Sequence, residues 1–202
     1  MARKKNYNGD ITEEFDTNEL LDAYHQQEKM DKLASTAKSA IIEIAISILI
    51  VFLFVTFLFR PVSVSGTSMY PTLTDKEFGF SSVIGKTLCG IQRDDIVIIK
   101  TDGKYIIKRV IGLPGETIAC VDGVLYINEE PIDESSYLDS DYIESMKEQG
   151  VQYFTSDFGP VTLNSDEYFC LGDNRPNSAD SRVYGAFTIE QIVAKDFYKI
   201  FG

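Results

Sequence analysis

Ser68 and Lys108 are the residues of this sequence best suited to act together as a nucleophile and its base. Ser68 lies among small and turn-forming residues in SGTSMYPTL (65–73), and Lys108 lies within the apolar run YIIKRVI (105–111). A lysine amine accepts a serine proton only when it is neutral, and burial among apolar side chains favours the neutral form. At the ordinary lysine pKa near 10.4, about four amines in ten thousand are neutral at pH 7. We therefore expect Lys108 to be buried; an edge-strand lysine that opposes aggregation is the alternative interpretation.

The sequence lacks the residues that other hydrolase mechanisms require. His25 is the single histidine of the chain, and it precedes the long apolar segment, on the far side from Ser68. Catalysis by a Ser-His-Asp triad is therefore excluded. The stretch from Gly66 to Tyr70 lacks the second glycine of a G-x-S-x-G elbow. The one S-x-x-K match, Ser35 to Lys38, lies in a polar segment without the partner motifs of that enzyme class, and chance explains it.

An apolar segment near the N-terminus predicts a membrane anchor. Residues 40–59 read AIIEIAISILIVFLFVTFLF, which as a helix would rise about 30 Å, the thickness of a bilayer core. Its one charge, Glu43, lies in the first turn, where it reaches the interface. The 39 residues before it form a segment that is too long and too acidic for the N-terminal region of a cleavable signal peptide, so we predict an uncleaved anchor. Three lysines before the segment favour a cytoplasmic N-terminus: Lys29, Lys32 and Lys38.

The rest of the chain predicts a mainly β fold. Asp102-Gly103 separates DIVIIK from KYIIKRVIG, and Asp122-Gly123 separates TIACV from VLYIN, so each dipeptide predicts a hairpin. The terminal FYKIFG predicts a last strand. The acidic stretch at about 129–157 is interpreted as an insertion on the β core, without assigned chemistry. The predicted organisation is a cytoplasmic tail (1–39), a transmembrane anchor (40–59) and an extracytoplasmic β-rich domain (60–202).

Composition limits the partners. The formal net charge of −12 makes nucleic acid a poor partner. Three cysteines, without C-x-x-C spacing, indicate neither a zinc site nor a disulfide framework, although one bridge with one free thiol stays open.

Three stretches together resemble a known family. SGTSMYPTL (65–73), KRVIGLPGE (108–116) and GDNRPNSADSR (172–182) resemble, in order and spacing, the conserved boxes of type I signal peptidases, the single-span kind typical of Gram-positive bacteria. The resemblance implies a signal peptidase fold in which Ser68 is the nucleophile and Lys108 the general base. It further implies that Ser178 orients the lysine amine, while Asp180 and Arg182 hold the wall of the active site.

The resemblance also implies how the oxyanion is bound. The backbone N–H of Ser68 is the expected donor. Gly66 stands where some members of the family have a serine that also donates a hydrogen bond to the oxyanion.

Within 172–182, positions 178, 180 and 182 would share one face of an extended segment.

The function implied by the resemblance is that of a membrane-bound serine endopeptidase that removes signal peptides from exported preproteins, cleaving after a small residue. It implies no cofactor and no metal. Exported preproteins and membrane lipid are the expected partners, and the protein export machinery stays open as another. The expected location is the cell membrane, single-pass, with an extracellular catalytic domain. Two alternatives are an inactive membrane-anchored β domain that binds exported proteins and a self-cleaving regulatory Ser-Lys protease.

Overall fold

A single long helix forms the N-terminal part of the structure, a computed structural model that describes residues 17–201. Helix α1 covers Thr17–Leu58, so it continues from the predicted tail into the predicted anchor without a break at residue 40. Its most apolar window has a mean hydropathy of 2.6, and α1 is long and apolar enough to cross a membrane. The helix stops where Pro61 approaches, because the residue before a proline favours extended backbone. Residues 1–16 of the predicted tail lie outside the described residues.

Contacts divide the chain into two compact units, with the boundary in sequence between Leu53 and Phe54. The second unit is mainly β, as predicted. Its described residues form eleven strands: β1 Phe59–Ser63, β2 Phe78–Ser82, β3 Ile96–Thr101, β4 Lys104–Gly112, β5 Thr117–Val121, β6 Val124–Ile127, β7 Glu130–Pro131, β8 Phe158–Thr162, β9 Glu167–Leu171, β10 Phe187–Thr188 and β11 Ile192–Phe201.

The strands form two antiparallel sheets. The larger has seven strands in the order β1-β2-β11-β3-β4-β9-β10, and the smaller has four in the order β7-β6-β5-β8. A cluster of buried side chains from both sheets joins them, including Ile111 and Phe169 from the larger sheet and Ile118 and Leu125 from the smaller. Strand β4, which carries Lys108, therefore lies inside the larger sheet between β3 and β9.

Both predicted hairpins are confirmed. Asp102 and Gly103, between β3 and β4, have φ values of 45° and 75°. Asp122 and Gly123, between β5 and β6, have φ values of 51° and 77°. Two successive positive φ values are those of a type I′ turn, which aspartate and glycine adopt most readily. The predicted terminal strand is also present, and it begins earlier than expected, at Ile192.

The acidic insertion is more ordered than its sequence indicates. It contains the short strand β7, paired with β6, and helix α3 (Ser140–Glu148). The carboxylate of Asp139 caps α3 by accepting a hydrogen bond from the Tyr142 N–H at 2.8 Å. Two further short helices are α2 (Val83–Cys89) and α4 (Ser181–Tyr184).

Candidate active site

Ser68 lies in the loop between β1 and β2, and the core holds this loop in place. Val64, Met69 and Leu73 of the loop are buried together, with Met69 only 1% exposed. The N–H of Leu73 donates to the Met69 carbonyl at 2.9 Å, and the N–H of Gly66 donates to the Asp75 carboxylate at 2.8 Å. The side chains on both sides of Ser68 are thus anchored, while Ser68 itself is only half-buried.

Lys108 lies on β4 and points at Ser68. Its Nζ is 2.7 Å from Ser68 Oγ and 2.9 Å from the carbonyl oxygen of Ile107. Lys108 is 2% exposed, and β4 is an interior strand, so the edge-strand interpretation of this lysine is wrong. Burial lowers the pKa of Lys108 from its usual value to about 8, against the opposing negative charges of Asp180 and Asp173.

The geometry of this pair suits proton transfer. A separation of 2.7 Å lies within the range that a general base needs. With a pKa near 8, about a tenth of the amines are neutral at pH 7, against about four in ten thousand at the ordinary value. A neutral amine accepts the hydroxyl proton and leaves an activated oxygen. The main-chain N–H of Ser68 has no hydrogen-bond acceptor among residues 17–201, so it is available to a ligand oxygen.

A small apolar cleft opens beside Ser68. Its volume is about 120 Å³. The loop between β1 and β2 that carries Ser68, here called the nucleophile loop, lines it together with strands β1, β3 and β4. Most of the lining side chains are apolar, among them Val62, Val64, Met69, Ile98 and Ile107, and Ser63, Ser65 and Lys108 add polar atoms. Such a cleft has room for an apolar side chain beside the nucleophile.

Ser178 lies beside the nucleophile loop but is not paired with Lys108. Its Oγ is buried, and within the described part of the chain it makes no hydrogen bond of good geometry. A Cβ placed on Gly172 would collide with Ser178 Oγ and with the carbonyl oxygen of Ser68, so only glycine permits this close approach. The role of Ser178 in orienting the lysine amine stays a prediction.

Asp180 and Arg182 form a buried ion pair close to the site. Arg182 donates from Nε to Asp180 Oδ1 at 2.9 Å and from Nη2 to Oδ2 at 2.8 Å. Asp180 is fully buried, which by itself raises its pKa, but the hydrogen bonds and charge of Arg182, together with the Gly172 N–H, bring that pKa below its ordinary value. Asp180 also caps α4, so Arg182 is helical, and the expectation of one extended segment through position 182 is wrong.

A second buried ion pair was missed by the sequence analysis. Arg109 donates to both carboxylate oxygens of Asp173, from Nε at 2.9 Å and from Nη2 at 2.6 Å. Thr72 Oγ1 donates to the same carboxylate at 2.5 Å, which ties the nucleophile loop to this pair. The sequence signal for this pair is Arg109, a second charged residue in the apolar run 105–111. A charge buried there needs a partner of opposite charge.

The described residues show neither metal ligands nor disulfides. No group of three or more His, Cys, Asp or Glu side chains converges within residues 17–201 in a way that could hold a metal. All three cysteines are free: Cys89 is exposed, while Cys120 and Cys170 are buried.

A serine beside a buried lysine amine, on a mainly β domain that follows an apolar helix, is an arrangement that suits a serine protease. The family model described as signal peptidase, peptidase S26, matches residues 37–201. The chain therefore belongs to this family, and the resemblance predicted from the three stretches is confirmed.

Curated relatives agree with this assignment. The chain is 41% identical over 165 residues to signal peptidase I S of Bacillus subtilis, covering 81% of this chain and 86% of the relative. It is 38% identical over 181 residues to a signal peptidase I of Bacillus amyloliquefaciens, covering 86% and 95%. Among solved structures, a signal peptidase I of Enterococcus faecalis matches with 35% identity and a TM-score of 0.43, covering 52% of this chain and 94% of the other.

Proposed function

We propose that this chain is a membrane-bound serine endopeptidase that removes N-terminal signal peptides from exported preproteins by Ser-Lys catalysis. The observation that carries the proposal is the 2.7 Å separation between Ser68 Oγ and the Nζ of the buried Lys108. The two Bacillus relatives are signal peptidases I, which supports the reaction.

The proposed reaction proceeds through an acyl-enzyme. Neutral Lys108 accepts the Ser68 proton as Oγ attacks the scissile carbonyl carbon. The N–H of Ser68 donates to the oxyanion of the tetrahedral intermediate. Lys108 then gives its proton to the leaving amine, which departs as the new N-terminus of the mature protein. A water molecule, deprotonated by the same amine, hydrolyses the ester and restores the serine.

The apolar cleft beside Ser68 supports cleavage after a small residue. Its lining is mainly apolar and its volume of about 120 Å³ has room for an alanine side chain, while the preference for a small residue over a large one is what the family resemblance implies. Buried Met69 and strand β4 form its walls, and the sheet holds them in place. Preproteins that end their signal peptide in alanine therefore suit this site.

The proposed membrane arrangement places residues 1–39 in the cytoplasm, 40–59 in the bilayer and 60–202 outside. The apolar composition of α1 supports the anchor, and the lysines before residue 40 support the orientation. This location puts the site where signal peptides leave the membrane. Lipid contacts follow from the anchor, and the export machinery is a further candidate partner.

The test uses full-length chain in detergent and a preprotein with an Ala-x-Ala site, with the product N-terminus mapped by mass spectrometry. Wild type should cleave after the second alanine, while Ser68→Ala and Lys108→Ala should be inactive. Lys100→Ala is the matched control, because Lys100 lies on neighbouring β3 and is exposed. EDTA should leave the activity unchanged.

Three outcomes would contradict the proposal. Intact preprotein after incubation with wild type would favour an inactive binding domain. Cleavage of the enzyme's own chain alone would favour a self-cleaving regulatory protease. Activity that survives Lys108→Ala would mean that another group is the base.

A further inference from the structure

Helix α3 of the acidic insertion contacts the nucleophile loop through Tyr142. Its hydroxyl donates to Asn174 Oδ1 at 3.0 Å. Its ring meets the ring of Tyr70 edge-on, with centroids 4.9 Å apart. Tyr70 is two residues beyond Ser68 in the same loop. The insertion therefore contacts the loop directly through Tyr70 and indirectly through Asn174.

Asn174 holds the main chain on both sides of Ser68. Its backbone N–H donates to the Ser68 carbonyl at 3.0 Å, and its side-chain Nδ2 donates to the Thr67 carbonyl at 3.0 Å. The Thr67 carbonyl and the Ser68 N–H belong to one planar peptide unit and point in opposite directions. The Thr67 oxygen also accepts from the Tyr70 N–H at 3.0 Å, so Asn174 and Tyr70 together fix this oxygen and with it the direction of the Ser68 N–H, the proposed oxyanion donor.

Tyr142 in turn fixes Asn174. The Oδ1 that accepts from Tyr142 and the Nδ2 that donates to Thr67 are the two ends of one rigid amide. A constraint on one end orients the other. Asn177 Nδ2 approaches the same Oδ1 at 3.3 Å, a longer contact. Tyr142 is therefore the closer side-chain donor that sets the amide plane.

The insertion is attached firmly enough to act as a support. Arg175, next to Asn174, is 1% exposed and donates to Glu134 at 2.5 Å and to Thr155 Oγ1 at 2.9 Å. Glu134 and Thr155 lie on the two sides of α3 in sequence. Two charged or polar contacts thus connect both ends of the insertion to the residue beside Asn174.

We propose that Tyr142 is a positioning residue for catalysis, which acts through Asn174 to orient the peptide that carries the Ser68 N–H. This inference rests on the proposed function of Ser68. It gives the acidic insertion a task in the reaction: to hold the oxyanion donor in the direction that the transition state requires. Misplacement of such a group lowers the rate of the chemical step without weakening substrate binding.

The experiment is a single-turnover assay with full-length enzyme in excess over a labelled preprotein. The plateau rate at saturating enzyme reports the chemical step, and the half-saturating enzyme concentration reports binding and the fraction of active enzyme. Tyr142→Phe keeps the ring contact with Tyr70 and removes only the hydroxyl. Asn174→Ala removes the bond to Thr67. Tyr153→Phe is the matched control, because its hydroxyl lies in the same insertion and donates to Asp122 at 3.2 Å.

The plateau rate should fall about tenfold for Tyr142→Phe and about 100-fold for Asn174→Ala. The half-saturating concentration should not change, and Tyr153→Phe should match wild type. The pH midpoint of the plateau rate should also stay at its wild-type value, because the base is untouched. A purely structural role would instead produce inactive enzyme, which raises the half-saturating concentration and leaves the plateau rate intact.

A raised half-saturating concentration with an unchanged plateau rate would overturn the inference. Identical plateau rates for Tyr142→Phe and Tyr153→Phe would also overturn it. Both results leave the proposed function standing. Cleavage that survives Ser68→Ala in the same assay, or a wild type that does not cleave, would overturn the proposed function and this inference with it. Tyr142→Phe keeps the test decisive even if Asn174→Ala does not fold.

Discussion

Lys108 Nζ lies 2.7 Å from Ser68 Oγ while only 2% of the lysine is exposed to solvent. The two facts depend on each other, because burial is what makes the amine a base. Most of the lowering of its pKa comes from loss of water, and two buried carboxylates limit that lowering. The site is therefore a compromise between an apolar setting and nearby negative charge.

The first prediction concerns pH. With a Lys108 pKa of about 8, the amine is protonated and inactive at lower pH, so kcat/KM should rise about tenfold per pH unit up to about 8 and then level off. The measurement is initial rate on a preprotein substrate from pH 6 to pH 10. A midpoint near pH 6, or a flat profile, would contradict the assignment of Lys108 as base.

A variant of Asp180 extends this test. The charge of Asp180 raises the Lys108 pKa, so Asp180→Asn should move the midpoint to lower pH in the fraction that folds. An unchanged midpoint would show that the two groups are not coupled. Because Asp180 is fully buried and paired with Arg182, this variant should also be less stable by about 3 kcal/mol.

The second prediction concerns the stability cost of the base. The folded-state pKa of Lys108 is about 8 and the usual value is 10.5, so the unfolded chain holds the proton more tightly. The resulting destabilisation is fully present below pH 8 and disappears as pH rises above 10.5. Lys108→Met, which keeps the apolar stem, should therefore abolish activity and raise the free energy of unfolding by about 3 kcal/mol at pH 7.

Calorimetry at pH 7 and at pH 10 measures this effect. The gain in Tm should be larger at pH 7 than at pH 10. The same change at exposed Lys100 should give no comparable gain. A Lys108→Met variant that melts below wild type at pH 7 would show that the lysine stabilises the fold.

The third prediction concerns Gly172. A Cβ at this position would collide with the Ser68 carbonyl oxygen and with Ser178 Oγ, so Gly172→Ala should displace the nucleophile loop. We expect kcat to fall at least tenfold and stability to fall by about 2 kcal/mol. Rates and thermal melting measured on the same preparation check both effects.

Gly115→Ala is the control for this variant. Gly115 has a φ of +82°, so alanine is strained there, but its Cβ would meet open space. This change should cost about 1 kcal/mol of stability and leave kcat unaltered. Equal kcat values for the two variants would argue against a special role of the close approach at Gly172.

The fourth prediction concerns topology. Cys89 is exposed on α2, whereas Cys120 and Cys170 are buried. If residues 60–202 are outside, a membrane-impermeant maleimide added to intact cells should label the chain once, at Cys89, and Cys89→Ser should abolish the label. Labelling of Cys89 only after the cells are opened would place the domain in the cytoplasm and contradict the export role.

Local patterns account for what the sequence predicted well. An Asp-Gly dipeptide favours two successive positive φ values, and the alternation around it defines the flanking strands, so both hairpins were found. The apolar stretch 40–59 predicted a helix in the same way, and helix α1 covers it as far as Leu58; its role as a membrane anchor stays a prediction. The resemblance then named Ser68 and Lys108. Each of these conclusions depends on neighbours in the chain or on matched stretches.

Contacts between distant segments account for what was missed. The pairing of Arg109 with Asp173 and the contacts of Asn174 with Thr67 and Ser68 join residues far apart in sequence. The insertion around Tyr142 was given no chemistry because its composition does not reveal which side chains face inward. Arg182 was expected on an extended segment, yet the Asp180 carboxylate caps a helix there.

The sequence alone thus predicted the apolar helix and the hairpins, because local propensity is a property of short stretches, and its three matched stretches identified the candidate nucleophile and base. Only the tertiary structure decided that Lys108 is on an interior strand, that its amine reaches Ser68, and that Asn174 and Tyr142 support the loop. Burial and hydrogen-bond geometry depend on strand order and packing. Both bring together residues that are far apart in the chain, and no local sequence pattern indicates such contacts.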